Sequence, residues 1–140
     1  HSRVLNNPLT ALGGTFDGSS GLDLTFTAGS PSISNGSMYL IGPGVLTVGA
    51  NLSLSGTQYQ LRVPSGQPAG TLVLTGNNSG VGFWVRESGL TIGIGHDNAL
   101  TAGGVRMWGS VTVKAEGAAR SIPGGFAIRN NTLRSPAATT

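Results

Sequence analysis

Glycine and proline interrupt this chain so often that no stretch of about 11 residues keeps apolar side chains at helical spacing without meeting one of them. With 24 Gly and 7 Pro among 140 residues, helix is expected to be nearly absent. Period-2 alternation fills the intervals instead. In the run from Leu22 to Ala28, Leu22, Leu24, Phe26 and Ala28 share one face. Leu52-Ser53-Leu54, Tyr59-Gln60-Leu61-Arg62-Val63 and Leu72-Val73-Leu74 repeat the habit. The longest run spans Val105 to Ala115. It sets Val105, Met107, Val111, Val113 and Ala115 against Arg106, Trp108, Ser110, Thr112 and Lys114.

Turn-forming clusters separate these runs: Ala28-Gly29-Ser30-Pro31, Ile41-Gly42-Pro43-Gly44, Pro64 to Pro68, Gly76 to Gly80, Gly103-Gly104 and Pro123-Gly124-Gly125. They recur roughly every 8–15 residues, the rhythm of a sandwich or small barrel. The expected fold is therefore all-β, a single-domain antiparallel β-sandwich or small β-barrel of about eight to ten short strands. A parallel βαβ arrangement is set aside because the chain has no crossover helices. Residues 1–21 alternate poorly and read as a frayed terminus or an extended N-terminal arm. Residues 22–134 read as the β domain and residues 135–140 as a C-terminal tail.

Only 9% of residues are charged, yet no apolar run approaches the roughly 20 residues of a spanning helix, so no membrane association is expected. His1-Ser2-Arg3 leads into Val4-Leu5-Asn6-Asn7-Pro8 with no apolar core region, so no signal-peptide pattern is read there. The absence of cysteine removes disulfides and thiolate chemistry. The net charge of +3 comes from Lys114, Arg120, Arg129 and Arg134 late in the chain, opposed there by Glu116 alone. Four dispersed cations with Phe126 as their only aromatic fall short of a nucleic-acid face, and a mildly basic surface for an acidic partner is the better reading.

Chemistry-bearing constellations are sparse. No phosphate-binding loop or nucleophile elbow occurs, and Gly93-Ile94-Gly95-His96 completes no dinucleotide fingerprint. His96-Asp97, beside Gly95 and Asn98, reads as a turn. Asp17 and Asp23 around Gly18-Ser19-Ser20-Gly21 read as a hairpin rather than a calcium loop, and Arg86-Glu87 as a strand-end ion pair. The expectation is no enzyme, no cofactor and no metal. Four Asn-x-Ser/Thr sequons, at Asn35, Asn51, Asn77 and Asn130, are near chance in so polar a chain. Trp84 and Trp108 stand out, because an exposed Trp on a flat β surface serves carbohydrate stacking or a subunit interface.

The stretch from Leu24 to Gly29, with Ile33-Ser34-Asn35-Gly36-Ser37-Met38-Tyr39-Leu40-Ile41-Gly42 and Val48, resembles the opening of tailed-phage capsid decoration proteins. Val105 to Ala118, followed by Ile122-Pro123-Gly124-Gly125, is similar to a later strand pair of the same proteins. Phe126 departs from the acidic residue they usually carry there. This resemblance implies a virion protein on the outer capsid surface that cements the shell. Its partners would be the major capsid protein and copies of itself, as a homotrimer. Contacts are expected through Trp84, Arg106 and Trp108, with Val4, Leu5, Leu9 and Leu12 of the arm as a clamp. A second resemblance, of Gly80 to Gly89 and Ile122 to Phe126, is to chaperone–usher pilus subunits, and implies a glycan- or receptor-binding adhesin on a bacterial surface. That reading would require a donated strand, and the chain has neither the usual pilin disulfide nor an evident donor segment. A phage tail-fibre tip is a related alternative.

Overall fold

The computed structural model describes residues 1–33, 36–54, 59–79, 82–101, 104–123 and 126–128. Asn35, Arg129, Asn130, Arg134 and the tail 135–140 lie outside them. The described residues form fourteen short strands and no helix. Six make a first sheet: β1 (Ser2–Leu5), β3 (Asp23–Phe26), β6 (Val45–Val48), β9 (Thr71–Leu74), β11 (Thr91–Ile94) and β13 (Thr112–Ala115). Six make a second: β2 (Gly14–Asp17), β5 (Gly36–Ile41), β8 (Tyr59–Arg62), β10 (Gly82–Val85), β12 (Gly104–Met107) and β14 (Phe126–Ile128). The pair β4 (Ser32–Ile33) and β7 (Ser53–Leu54), continued by a bridge from Ser53 to Ser79, forms a narrow third side.

Every strand ladder is parallel. The chain winds from sheet one past the narrow side to sheet two and back, a β-solenoid of about five turns. The antiparallel sandwich or barrel expected from the sequence does not form. Parallel pairing needs a crossover of a dozen residues or more, and a helix is only its usual form. Here the strand of the opposite sheet is the crossover. Leu24 pairs with Leu46, Leu46 with Leu72, Leu72 with Ile92 and Ile92 with Val113, so successive coils are 22, 26, 20 and 21 residues long. Six rows at about 4.8 Å give a rod about 24 Å long.

The interior is common to all sides, so alternation still sorts residues inward and outward. Leu46, Leu72 and Ile92 form one buried column of sheet one, and Val48, Leu74 and Ile94 the next. Across the core, Met38, Leu61, Val85 and Met107 stack in sheet two, with Tyr59 edge-on to Phe83 at 6.0 Å. Each such side chain contributes about 1.5–3 kcal/mol by burial, but only because the coil above covers it. The Val105–Ala115 run, expected as one strand, is broken into β12 and β13 by a corner at Trp108–Val111, where the Gly109 backbone lies against Glu87. A tight corner falls at Gly42, with φ +83°, where a Cβ would press into the Ser19 backbone.

Polar groups hold the coils in register at the corner after sheet one. Asn51 Oδ1 accepts from Asn77 N at 2.9 Å, and Asn77 Oδ1 accepts from Asn98 Nδ2 at 2.9 Å. Beneath this exposed ladder lies the buried Asn78. Residues 1–21 run as the first coil. β1 and β2 form the terminal rows of the two sheets, Leu9 N donates to Ala28 O, and Tyr59 Oη donates to Leu12 O at 2.7 Å.

Candidate functional site

Outward positions on sheet two fall into two columns. Gln60, Trp84 and Arg106 follow one another in register; Tyr39 pairs with Arg62 in the other. Arg86 and Trp108 stand one position beyond the paired Val85 and Met107, and Trp108 N donates to Val85 O, which carries the second column onward. Trp84, Arg86, Arg106 and Trp108 therefore occupy the corners of a square, with like residues on the diagonals. The two indoles touch across one diagonal, centroids 5.1 Å apart and planes inclined by 52°. Arg106 lies 5.1 Å from the Trp84 ring, and Arg86 lies 5.9 Å from Trp84 and 5.7 Å from Trp108. Both arginines are exposed and both tryptophans half-buried.

Electrostatics distinguish this square from the rest of the surface. Lys114 pairs with Glu116 at 2.8 Å, and Arg120 donates to the Glu116 carbonyl and approaches Asp97. Arg62 donates through Nε to Glu87 Oε1 at 2.9 Å and lies 5.7 Å from the Tyr39 ring; the Glu87 carboxylate raises its guanidinium above the ordinary value. The ion pair expected between Arg86 and Glu87 is thus made by Arg62, because Arg86 points out over the indoles while Glu87 sits at the corner. Among the described residues no carboxylate lies within ion-pair distance of Arg86 or Arg106. A cleft of about 270 Å³ opens beside the square, bordered by Arg106, Met107, Trp108 and Ala127.

Of the contact residues read from the sequence, the structure brings Trp84, Arg106 and Trp108 together and leaves Val4, Leu5, Leu9 and Leu12 on the first coil. Val4 and Leu5 are exposed there; Leu9 and Leu12 pack against the core and border an apolar hollow of about 200 Å³. Sequence reasoning missed Arg86 as the fourth member. Its signal was the mirrored pair Trp84-Val85-Arg86 and Arg106-Met107-Trp108, set 22 residues apart, close to one coil.

The remaining candidates hold turns. His96 Nδ1 accepts from Asn98 N at 3.0 Å, and Asp97 Oδ1 accepts from Ser121 N at 3.3 Å. Asp17 accepts from Ser19, whose hydroxyl and backbone N–H hold its carboxyl below the usual value, and Asp23 accepts from Val45 N on the next coil. The strands flanking Asp17 and Asp23 belong to different sheets, so the expected hairpin is a corner instead. Among the described residues no three His, Asp or Glu side chains gather in one place. No protein-family profile, curated protein or solved structure matches the chain.

Proposed function

We propose that the chain is a non-enzymatic structural and binding module of an exterior surface, a rigid solenoid rod that presents the outer face of sheet two to a partner. The observation that carries this is the Trp84–Arg86–Arg106–Trp108 square. Two large aromatics and two guanidiniums that have no carboxylate partner among the described residues, held together on one sheet face, are the composition of an interaction hot spot. Stacking of each coil on its neighbours holds the strands of that face together. Of the roles the sequence suggests, a fibre or adhesin segment suits this rod best, since such a structure lengthens by adding coils.

Capsid decoration is the second reading. It is favoured by the outer face of sheet one, where Thr25 pairs with Thr47 in one column, and Val45, Thr71 and Thr91 follow one another in the adjacent one, a neutral, β-branched surface suited to close protein packing. Immunoelectron microscopy of the native source separates the two. Label along filaments or on cell surfaces supports the fibre reading, and regular label over icosahedral shells selects decoration. Label confined to the cell interior would overturn both.

A further inference from the structure

The geometry points to an anionic polysaccharide, with carboxylate or sulfate groups along a linear chain, as the ligand of the Trp84–Arg86–Arg106–Trp108 square; this rests on the binding reading above. An arginine stacked on an indole uses the face of its planar group and leaves the N–H donors at its edge directed away from the ring. The Arg106 guanidinium carbon lies 5.1 Å from the Trp84 ring centroid, and that of Arg86 lies 5.9 Å from Trp84 and 5.7 Å from Trp108, so both are within cation–π range of an indole. Each can then meet a carboxylate or sulfate in the two-pronged geometry that guanidinium favours, with little side-chain freedom left to lose.

The indoles supply what a bare pair of cations lacks. Half-buried and in mutual contact, Trp84 and Trp108 form an apolar platform between the two arginines, against which the C–H face of a pyranose ring can rest. The cleft beside Trp108 gives a neighbouring ring room. Outward side chains repeat along the rod at about 4.8 Å, a step comparable to one sugar ring. Arg62 and Tyr39 continue the same strip on the two preceding rows. The strip follows the rod axis, which matches an extended polymer better than the rounded surface of a folded protein.

Single-stranded nucleic acid fits less well. Successive bases stack on parallel aromatic faces, whereas these two rings are inclined by 52° to each other. A tracking phosphate backbone also calls for a continuous basic groove, and Lys114 and Arg120 are engaged with Glu116 away from this face.

The test is affinity electrophoresis of the full chain through gels containing polygalacturonate, chondroitin sulfate, fully methyl-esterified polygalacturonate, poly-L-glutamate or poly(U). Retardation is expected with the first two. It should be at least about tenfold weaker with the neutral ester, which keeps the sugar and removes the charge. Trp84→Ala and the double variant Arg86→Gln/Arg106→Gln should each weaken binding to polygalacturonate about tenfold or more, while Arg3→Gln at the opposite end leaves it unchanged. Circular dichroism and thermal melting establish that the variants fold, and the arginine pair, being exposed, keeps the test open if Trp84→Ala does not. Equal retardation by poly-L-glutamate would reduce the site to charge alone and overturn the inference. Stronger retardation by poly(U) would replace it with nucleic-acid binding. If neither acidic polysaccharide is retarded, the glycan inference fails while the exterior role stands or falls on the microscopy.

Discussion

Replacing Asn78 with alanine tests how the coils are locked together. The side chain is 4% exposed; its Oδ1 accepts from Leu52 N at 2.7 Å and its Nδ2 donates to Ala99 O at 3.0 Å. Leu52 and Ala99 are themselves 1% and 0% exposed, so one amide joins three consecutive coils inside the rod. Asn78→Ala leaves a buried N–H and a buried C=O without partners. At about 1–3 kcal/mol for each such group, the variant should lose about 2–6 kcal/mol. Asn77 is the internal control. It also bridges coils through two hydrogen bonds, donating from its backbone to Asn51 and accepting at its side chain from Asn98, but it is exposed and water can replace what is removed. Asn77→Ala should cost no more than about 1 kcal/mol. Urea unfolding followed by far-ultraviolet circular dichroism measures both. Because stacked repeats can lose cooperativity, amide hydrogen exchange at Leu52 provides a local readout beside the global one. If Asn78→Ala costs no more than Asn77→Ala, the buried amide does not lock the coils and the reasoning fails.

Three further outcomes follow from the geometry. Burial pushes the Tyr59 phenol up to about 12, above its unfolded value of about 10, so the stability it confers is intact below about pH 10 and is lost as the pH rises towards 12; unfolding free energies from urea titrations across that window should fall by up to about 2 kcal/mol in the native chain and less in Tyr59→Phe. Gly42→Ala should cost about 2–5 kcal/mol in thermal or urea unfolding, whereas Gly66→Ala, also at positive φ (+76°) but facing open space, should cost about 1–2 kcal/mol. A double-mutant cycle on Arg86→Ala and Trp108→Ala should return a coupling of about 0.5–1 kcal/mol in unfolding free energy, and a coupling of zero would remove that contact from the square.

What was legible in the sequence was the side of the core on which a residue falls. Leu61, Leu72, Leu74, Val105 and Met107 alternate as interior residues and are buried, while Arg106 and Trp108 alternate outward and are found on the outer face. What was not legible was the direction of the neighbouring strand. Alternation has the same period in parallel and antiparallel sheets, and Gly-rich corners look alike whether the chain doubles back or winds onward. The resemblances rest on such strand and corner patterns, so they carry little information about strand direction. The distinguishing signal was longer in range: the apolar-x-apolar triplets at Leu24, Leu46, Leu72 and Ile92 recur at the length of one coil. The 26-residue coil from Leu46 to Leu72, which takes in Pro64 to Pro68 at its outer corner, blurs that period.

Strand direction also decides what the outer face can do. An antiparallel pairing that kept Trp84 opposite Arg106 would place Arg86 across from Gly104 and Trp108 across from Gly82. The two indoles could still meet on a diagonal, but Arg86 would stand four positions along the strands from Trp108 and leave that ring without its guanidinium. Parallel register puts Trp84 opposite Arg106 and carries Arg86 opposite Trp108, so each indole gains a guanidinium from the next coil. A Trp-x-Arg strand beside an Arg-x-Trp strand produces such a square only when the two run parallel, as winding makes them do here. The fold therefore does more than support the candidate site: its winding turns two separated tripeptides into one aromatic platform flanked by two oriented cations.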